Sequence, residues 1–204
     1  MSVFRRKAQT LRSCQPSLSE AGSPNMEMNM DEIVKQAMAK WPNVPDCYGW
    51  LGLDARGNWY LRDAQAQASG GFASGAPGSK GSRLQHEKLI EFIGRNYVAD
   101  AQGRWFFQNG PQKVFVELEA TPLIWRVQAD LSIADHIGRS AEMHACVLDD
   151  IGCLYLDTPS GFGLVHTLDM ALAAEAVEGG RWQLQEMSRA DLPARFAYVM
   201  SPLT

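Results

Sequence analysis

One phrase recurs along this chain: an aspartate, two variable residues, a glycine, and then an aromatic or apolar run. It reads Asp54-Ala55-Arg56-Gly57 before Trp59-Tyr60-Leu61, Asp100-Ala101-Gln102-Gly103 before Trp105-Phe106-Phe107, and Asp149-Asp150-Ile151-Gly152 before Leu154-Tyr155-Leu156. The aspartate accepts hydrogen bonds from the turn backbone, and the glycine takes a positive φ without steric cost. Turns of this kind between strand-like runs commit a chain to β-hairpins. Glu178-Gly179-Gly180-Arg181-Trp182 reads as a degenerate fourth copy.

The repetition has a longer period as well. Residues 53–63 (Leu-Asp-Ala-Arg-Gly-Asn-Trp-Tyr-Leu-Arg-Asp) resemble residues 148–158 (Leu-Asp-Asp-Ile-Gly-Cys-Leu-Tyr-Leu-Asp-Thr). Gly103-Arg104-Trp105 is echoed by Gly180-Arg181-Trp182, and Thr121-Pro122-Leu123 by Ser201-Pro202-Leu203. This order predicts an α+β protein built from two repeated β-hairpin–helix–β units, with mainly antiparallel sheets, packed as one compact body. The expected organisation is a disordered basic tail over residues 1–28, an N-terminal helix and Pro-rich turn over 29–45, and repeat units over 46–130 and 140–204. Helix starts are expected at Asn29 with Glu32, at Ser82 with Gln85, and at Thr167. The first helix would bury Ile33, Ala37, Met38 and Trp41, and the second Leu89, Ile90, Ile93 and Tyr97. The last strand is expected over 196–200.

Charge separates the tail from the body. Four of the 19 basic residues, Arg5, Arg6, Lys7 and Arg12, lie in the first twelve positions, and the remainder is set against 23 acidic residues. An acidic body argues against a nucleic-acid partner. No apolar core of a signal peptide follows the basic start, and no stretch approaches the ~18 uncharged apolar residues of a membrane span. Cys14, Cys47, Cys146 and Cys153 form no C-x-x-C. These features predict a cytoplasmic protein with reduced thiols, no membrane partner and no bound cofactor.

Candidate chemistry is sparse. The loop Ser69-Gly70-Gly71-Phe72-Ala73-Ser74-Gly75-Ala76-Pro77-Gly78-Ser79-Lys80-Gly81-Ser82 fails the order a phosphate-binding P-loop requires and is expected to be a mobile linker. His144, Cys146, Cys153 and His166 lack recognised metal spacing, so no metal site is assigned. Ser160 lacks the upstream glycine of a nucleophile elbow, and Asp135 and His136 are neighbours without evidence of a triad. Of six tryptophans, most are expected in the core. The binding candidates that remain are Trp50, Arg104, Trp105, Asn109 and Lys113, a rim of polar groups around exposed aromatic surface. They point to a non-catalytic cytosolic binding or regulatory module for a small molecule or protein, with homo-oligomerisation left open. An unrecognised hydrolase or metal-dependent small-molecule enzyme is the alternative.

Trp41-Pro42-Asn43-Val44-Pro45, Tyr48-Gly49-Trp50-Leu51 and Gly103-Arg104-Trp105-Phe106-Phe107-Gln108-Asn109-Gly110-Pro111-Gln112 together resemble an uncharacterised proteobacterial family, a domain of unknown function, from about residue 30 onward. That family carries no activity to transfer. The layout of hairpin, helix, Gly-aromatic strand and Glu119-Ala120-Thr121-Pro122 is more distantly similar to a second unknown-function family. This second resemblance implies an α+β fold with repeated motifs and a role in signalling.

Overall fold

The computed structural model describes residues 31–41 and 43–202; the expected basic tail and the Asn29 cap lie outside them. Helix α1 spans Glu32–Lys40. There follow strands β1 (Cys47–Leu53) and β2 (Trp59–Leu61), the short helix α2 (Ala64–Ala68), β3 (Ser82–Arg83) and α3 (Glu87–Arg95). Strands β4 (Tyr97–Ala99), β5 (Trp105–Asn109), β6 (Gln112–Leu118), β7 (Leu123–Val127), β8 (Ile133–Asp135) and β9 (Ser140–Ala141) come next. The chain finishes with β10 (Ala145–Leu148), β11 (Leu154–Thr158), β12 (Gly161–Val165), α4 (Met170–Glu178), β13 (Leu184–Glu186) and α5 (Leu192–Arg195).

These strands form two sheets of one design. The first runs β3-β2-β1-β6-β5-β4, and the second, read from its β9 edge, runs β9-β8-β7-β12-β11-β10 with β13 added outside β10. In each, three successive antiparallel strands come first, a second three-stranded meander follows, and the last strand of the second lies parallel to the first strand of the first. The parallel registers are Leu51↔Val116 and Leu53↔Leu118 in one sheet, and Gly163↔Leu123 and Val165↔Trp125 in the other. All remaining pairs within these twelve strands are antiparallel. The protein is therefore α+β with two similar sheet units. The similarity between residues 53–63 and 148–158 also has a topological counterpart: β13 returns parallel to β10 as β6 does to β1.

Four aspartate turns hold the hairpins, and the fourth is not the one expected. At Asp54, Asp100, Asp135 and Asp149 one carboxylate oxygen accepts the N–H groups two and four residues on. The glycine N–H three residues on returns to the aspartate carbonyl each time. Gly57, Gly103, Gly138 and Gly152 have φ of +80, +76, +85 and +89°. Asp135-His136-Ile137-Gly138-Arg139 thus belongs to the series. Glu178–Arg181 instead ends α4, where Gly180 at φ +70° lets Arg181 N–H reach back to the Ala176 carbonyl.

Other expectations change for local reasons. Leu123–Val127, grouped from sequence with the first unit, hydrogen-bonds in the second sheet, because Thr121 makes the Thr-Pro step a crossover. Its enclosed hydroxyl donates to the Leu123 carbonyl at 2.7 Å and accepts from Leu164 N–H at 2.8 Å. Ser82 pairs in β3 rather than capping a helix; α3 starts later, with His86 Nδ1 accepting from Leu89 N–H. Residues 196–200 make no regular strand, yet Val199 N–H donates to the Gly103 carbonyl, and Leu118 N–H to that of Met200. In α1 the buried residue is Val34, while Ile33 is exposed.

One core joins the sheets. Leu51, Leu53, Val116 and Leu118 from the first pack in the same cluster as Leu123, Trp125, Val147, Leu154 and Leu156 from the second. Successive residues Leu123, Ile124 and Trp125 are all enclosed, so both faces of the second sheet are covered. Each such side chain contributes about 1.5–3 kcal/mol by leaving water. Gly163 leaves room for the Trp125 ring, because a Cβ there would lie 2.5 Å from the indole nitrogen.

Candidate functional site

The five candidates named from sequence do not form one site. A bulge at Gly49, with φ +77° and a register shift between Cys47 and Leu51, leaves Trp50 half exposed. Arg104 and Lys113 reach an aromatic patch on the first sheet, with Arg104 over Phe115 at 4.7 Å and Lys113 over Phe106 at 5.0 Å. Tyr48 stacks on the same Phe115 at 4.6 Å. Trp105 turns inward and is 5% exposed, and Asn109 sits at the end of β5 opposite Gln112. The aromatic rings are thus capped by the cations expected to rim them. Trp59, Trp105, Trp125 and Trp182 are buried, whereas Trp41 and Trp50 are exposed.

The Gly/Ser loop is not a free linker. Arg62, 4% exposed, donates to the carbonyls of Ser79 at 2.8 Å, Gly49 at 3.3 Å, Ala66 at 3.4 Å and Gly70 at 2.6 Å. Phe72 is enclosed against Gly52, where a Cβ would come within 2.4 Å of its ring. Lys80 donates to Glu119 Oε1 at 2.7 Å, and Glu119 Oε2 accepts from Ala55 N–H at 2.9 Å. Sequence composition conveyed the loop's exposure but not the single arginine that gathers it.

The remaining clusters divide sharply. No group of three metal-ligating side chains occurs among the described residues. Cys146 is fully enclosed, and burial pushes its thiol up to about 12. Ser160 lies in the β11–β12 turn, its N–H on the Thr158 hydroxyl. His166 caps the turn before α4, while Asp169 is clamped by Arg126 at 2.6 Å, which lowers its pKa.

A cleft of about 280 Å³ lies between α3 and the Asp135–Arg139 turn, lined by Ile90, Glu91, Gly94, Arg95, His136, Ile137 and Arg139. Helix α3 exposes one polar face and buries Ile93 and Gly94. Gly94 permits the close approach: a Cβ there would lie 2.8 Å from Ile137 Cγ2. His136, half-buried, packs near Trp59 at 5.6 Å and Tyr97 at 6.1 Å. Burial lowers its pKa to about 4, so the ring is neutral at neutral pH. Its Nδ1 accepts from Ile124 N–H at 3.3 Å, and its Nε2 is enclosed without a partner. Asp135 does not orient the ring, because its oxygens accept from Ile137 N–H, Arg139 N–H and Arg139 Nε. The Asp135–His136 neighbours are therefore a turn carboxylate and a cleft wall, not two members of a triad. The cleft's other walls were missed from sequence. The signal available was the Asp-x-x-Gly-Arg spacing shared by Asp100–Arg104 and Asp135–Arg139, which marks a turn whose arginine folds back on its own aspartate.

The sequence matches the family described as "Protein of unknown function (DUF2946)" over residues 30–203. The chain belongs to this family. Among solved structures, it is similar to a DUF1285 family protein from Silicibacter pomeroyi DSS-3, with 13% identity, 64% of this chain and 71% of that chain covered, and a TM-score of 0.44. A DUF1285 family protein from Shewanella baltica OS155 shows 16% identity, covers 62% of this chain and 91% of its own, and has a TM-score of 0.40. No curated protein matches the chain significantly. Both families are of unknown function. Among the described residues, no helix is long and apolar enough to cross a membrane.

Proposed function

We propose that this protein is a non-catalytic binding or regulatory module of the cytoplasm, and that its ligand sits in the cleft between α3 and the Asp135–Arg139 turn. The observation that carries the reading is the concave cleft itself, opened where Gly94 lets α3 approach Ile137. Ile90 and Ile137 give it apolar walls beside the charged Glu91, Arg95 and Arg139, while the His136 ring packs against Trp59 and Tyr97 with its Nδ1 accepting from Ile124 N–H. A ring whose pKa is about 4 is poorly matched to accepting a proton at neutral pH, which favours holding a ligand over general-base work. Cys47, Cys146 and Cys153 as free thiols support a reducing compartment.

The test is native mass spectrometry of the full chain beside Ile90→Trp, which fills the cleft from α3. A small molecule retained by the original chain and absent from the variant supports the reading. Turnover of ester or phosphoester substrates that disappears in His136→Ala overturns it in favour of a hydrolase.

A further inference from the structure

We propose a second ligand site, for the phosphate group of a small molecule, where Arg56, Arg126 and His166 meet. It uses none of the residues that line the α3 cleft and does not rest on the binding reading above. Three elements supply it: the β1–β2 turn, strand β7 and the segment that follows β12.

Contacts of the backbone bring these elements together. His166 N–H donates to the Trp125 carbonyl at 2.8 Å, which sets the histidine beside β7. The β1–β2 turn lies against the same strand, since a Cβ at Gly57 would come within 3.7 Å of Ile124 Cβ. Ile124 and Arg126, two residues apart on β7, share one face of the sheet. The charges that act on His166 are those of Arg126, Asp169, Arg56 and Asp54. Burial first, and then the two arginines, lower its pKa, while the two aspartates act against them.

The groups left over in this cluster are donors. His166 Nδ1 accepts from Leu168 N–H at 3.1 Å, so the neutral ring carries its proton on Nε2. That N–H has no partner among the described residues and, unlike Nε2 of His136, is not enclosed. Arg126 commits Nε and Nη2 to Asp169, at 2.6 and 3.2 Å, and its side chain remains 46% exposed. Both N–H groups of its Nη1 are therefore available.

Arg56 is the unmatched charge. Arg104 and Arg139 fold back on the aspartates of their own turns at 2.7 and 2.8 Å, from the fifth turn position. In the first turn that position belongs to Asn58, whose Nδ2 donates to Asp54 Oδ2. Arg56, exposed at the third position, forms no ion pair among the described residues. The two nearby carboxylates are already committed. Asp169 accepts from Arg126 and Val127 N–H, and Asp54 from the N–H groups of Arg56 and Asn58. A phosphate group supplies the counter-charge that Arg56 lacks, with enough acceptor oxygens to serve donors from three elements. Leu168, 69% exposed and two residues from His166, offers apolar contact to the rest of the ligand.

Phenyl phosphate and benzoate, each titrated into the full-length protein at constant ionic strength, test the site. The His166 ring is followed by NMR at about pH 7.5, where a phosphomonoester carries close to its full charge. Phenyl phosphate is expected to shift the ring resonances and to raise the pH at which the ring titrates, because a neighbouring anion favours the imidazolium. Arg56→Gln should weaken binding about tenfold, the loss expected for one charge-assisted hydrogen bond, and Arg56→Lys should recover part of it. Arg181→Gln, at an exposed arginine after α4, should leave binding unchanged, as should Ile90→Trp in the cleft. Benzoate binding as tightly as phenyl phosphate would remove the phosphate assignment. Equal losses in Arg181→Gln and Arg56→Gln would reduce the effect to general charge attraction. A response abolished by Ile90→Trp would put the anion in the cleft. Any of these results, or a His166 ring that does not move, overturns the proposal.

Discussion

A turn glycine has two separable reasons to be glycine, and Gly103 and Gly152 divide them. Both occupy the fourth position of an aspartate turn with positive φ, of +76 and +89°. A Cβ at Gly152 meets nothing within 4 Å, so Gly152→Ala carries only left-handed strain, about 1–2 kcal/mol. A Cβ at Gly103 would lie 2.1 Å from the Ala197 carbonyl oxygen, a backbone atom that cannot swing aside. Gly103→Ala is therefore expected to cost at least about 3 kcal/mol in urea denaturation, and equal losses for the two variants would refute the steric account. His136 contributes one acid-sensitive part of the stability. Its folded pKa, about 4, lies below the ordinary 6.5, so the unfolded chain binds the proton first as the pH falls. The His136 contribution is full above about pH 6.5 and falls by about 3 kcal/mol by about pH 4. His136→Gln should flatten that part of the stability–pH profile, and an unchanged slope would assign the acid loss elsewhere.

At the scale of elements, loop 69–82 shows how one side chain converts a flexible composition into fixed structure. Glycine- and serine-rich backbone costs about 1–2 kcal/mol per residue to order. Arg62 offsets part of this by binding four carbonyls at once, and Phe72 by burial against Gly52. Arg62→Met keeps the aliphatic stem and removes those donors. It should destabilise the protein by about 3 kcal/mol, since enclosed carbonyls lose their partners. It should also make trypsin cut after Lys80 several-fold faster, whereas a cleavage rate matching the unaltered chain would show that Phe72 alone holds the loop. The turn at Gln128–Ser132 follows the same logic with poorer residues. Leu131 takes φ +67° where the aspartate turns use glycine, and it packs against the core, which favours a large side chain despite the strained backbone.

For the whole molecule, the two sheets are alike in topology but share one core and are tied at the end of the chain. Val199 and Met200, far along the sequence, hydrogen-bond to Gly103 and Leu118 of the first sheet. Phe162 of the second sheet stacks on Phe196 at 3.7 Å. Unfolding should therefore be a single transition. Tryptophan fluorescence, which reads Trp59 and Trp105 in one sheet and Trp125 in the other, should coincide with far-UV circular dichroism. Two separated transitions would mean that the sheets fold independently. Truncation after Arg195 should lower the melting temperature by at least about 5 °C, through the loss of these hydrogen bonds and of the Phe196 stack.

What the residues determined by themselves was local. Asp-x-x-Gly spacing identified the turns at Asp54, Asp100 and Asp149, since the aspartate and glycine interact only with their own four or five residues. Alternating and aromatic runs identified β5, β6, β7, β10 and β11, and repetition identified an α+β protein with two similar sheet units. The family match carries no chemistry to set beside these readings. The tertiary structure decided everything that depended on a partner distant in sequence. Thr121 sends β7 into the second sheet by bonding Leu164, and Arg62 orders a loop that composition marks as free. The cleft exists because α3 and the Asp135–Arg139 turn, some forty residues apart, meet where Gly94 has no side chain. Ile124 N–H, from a third element, fixes the tautomer of His136 by donating to its Nδ1. Local hydrogen-bonding rules are written in neighbouring residues; enclosure, and the unsatisfied donors it creates, arise only when separate elements pack.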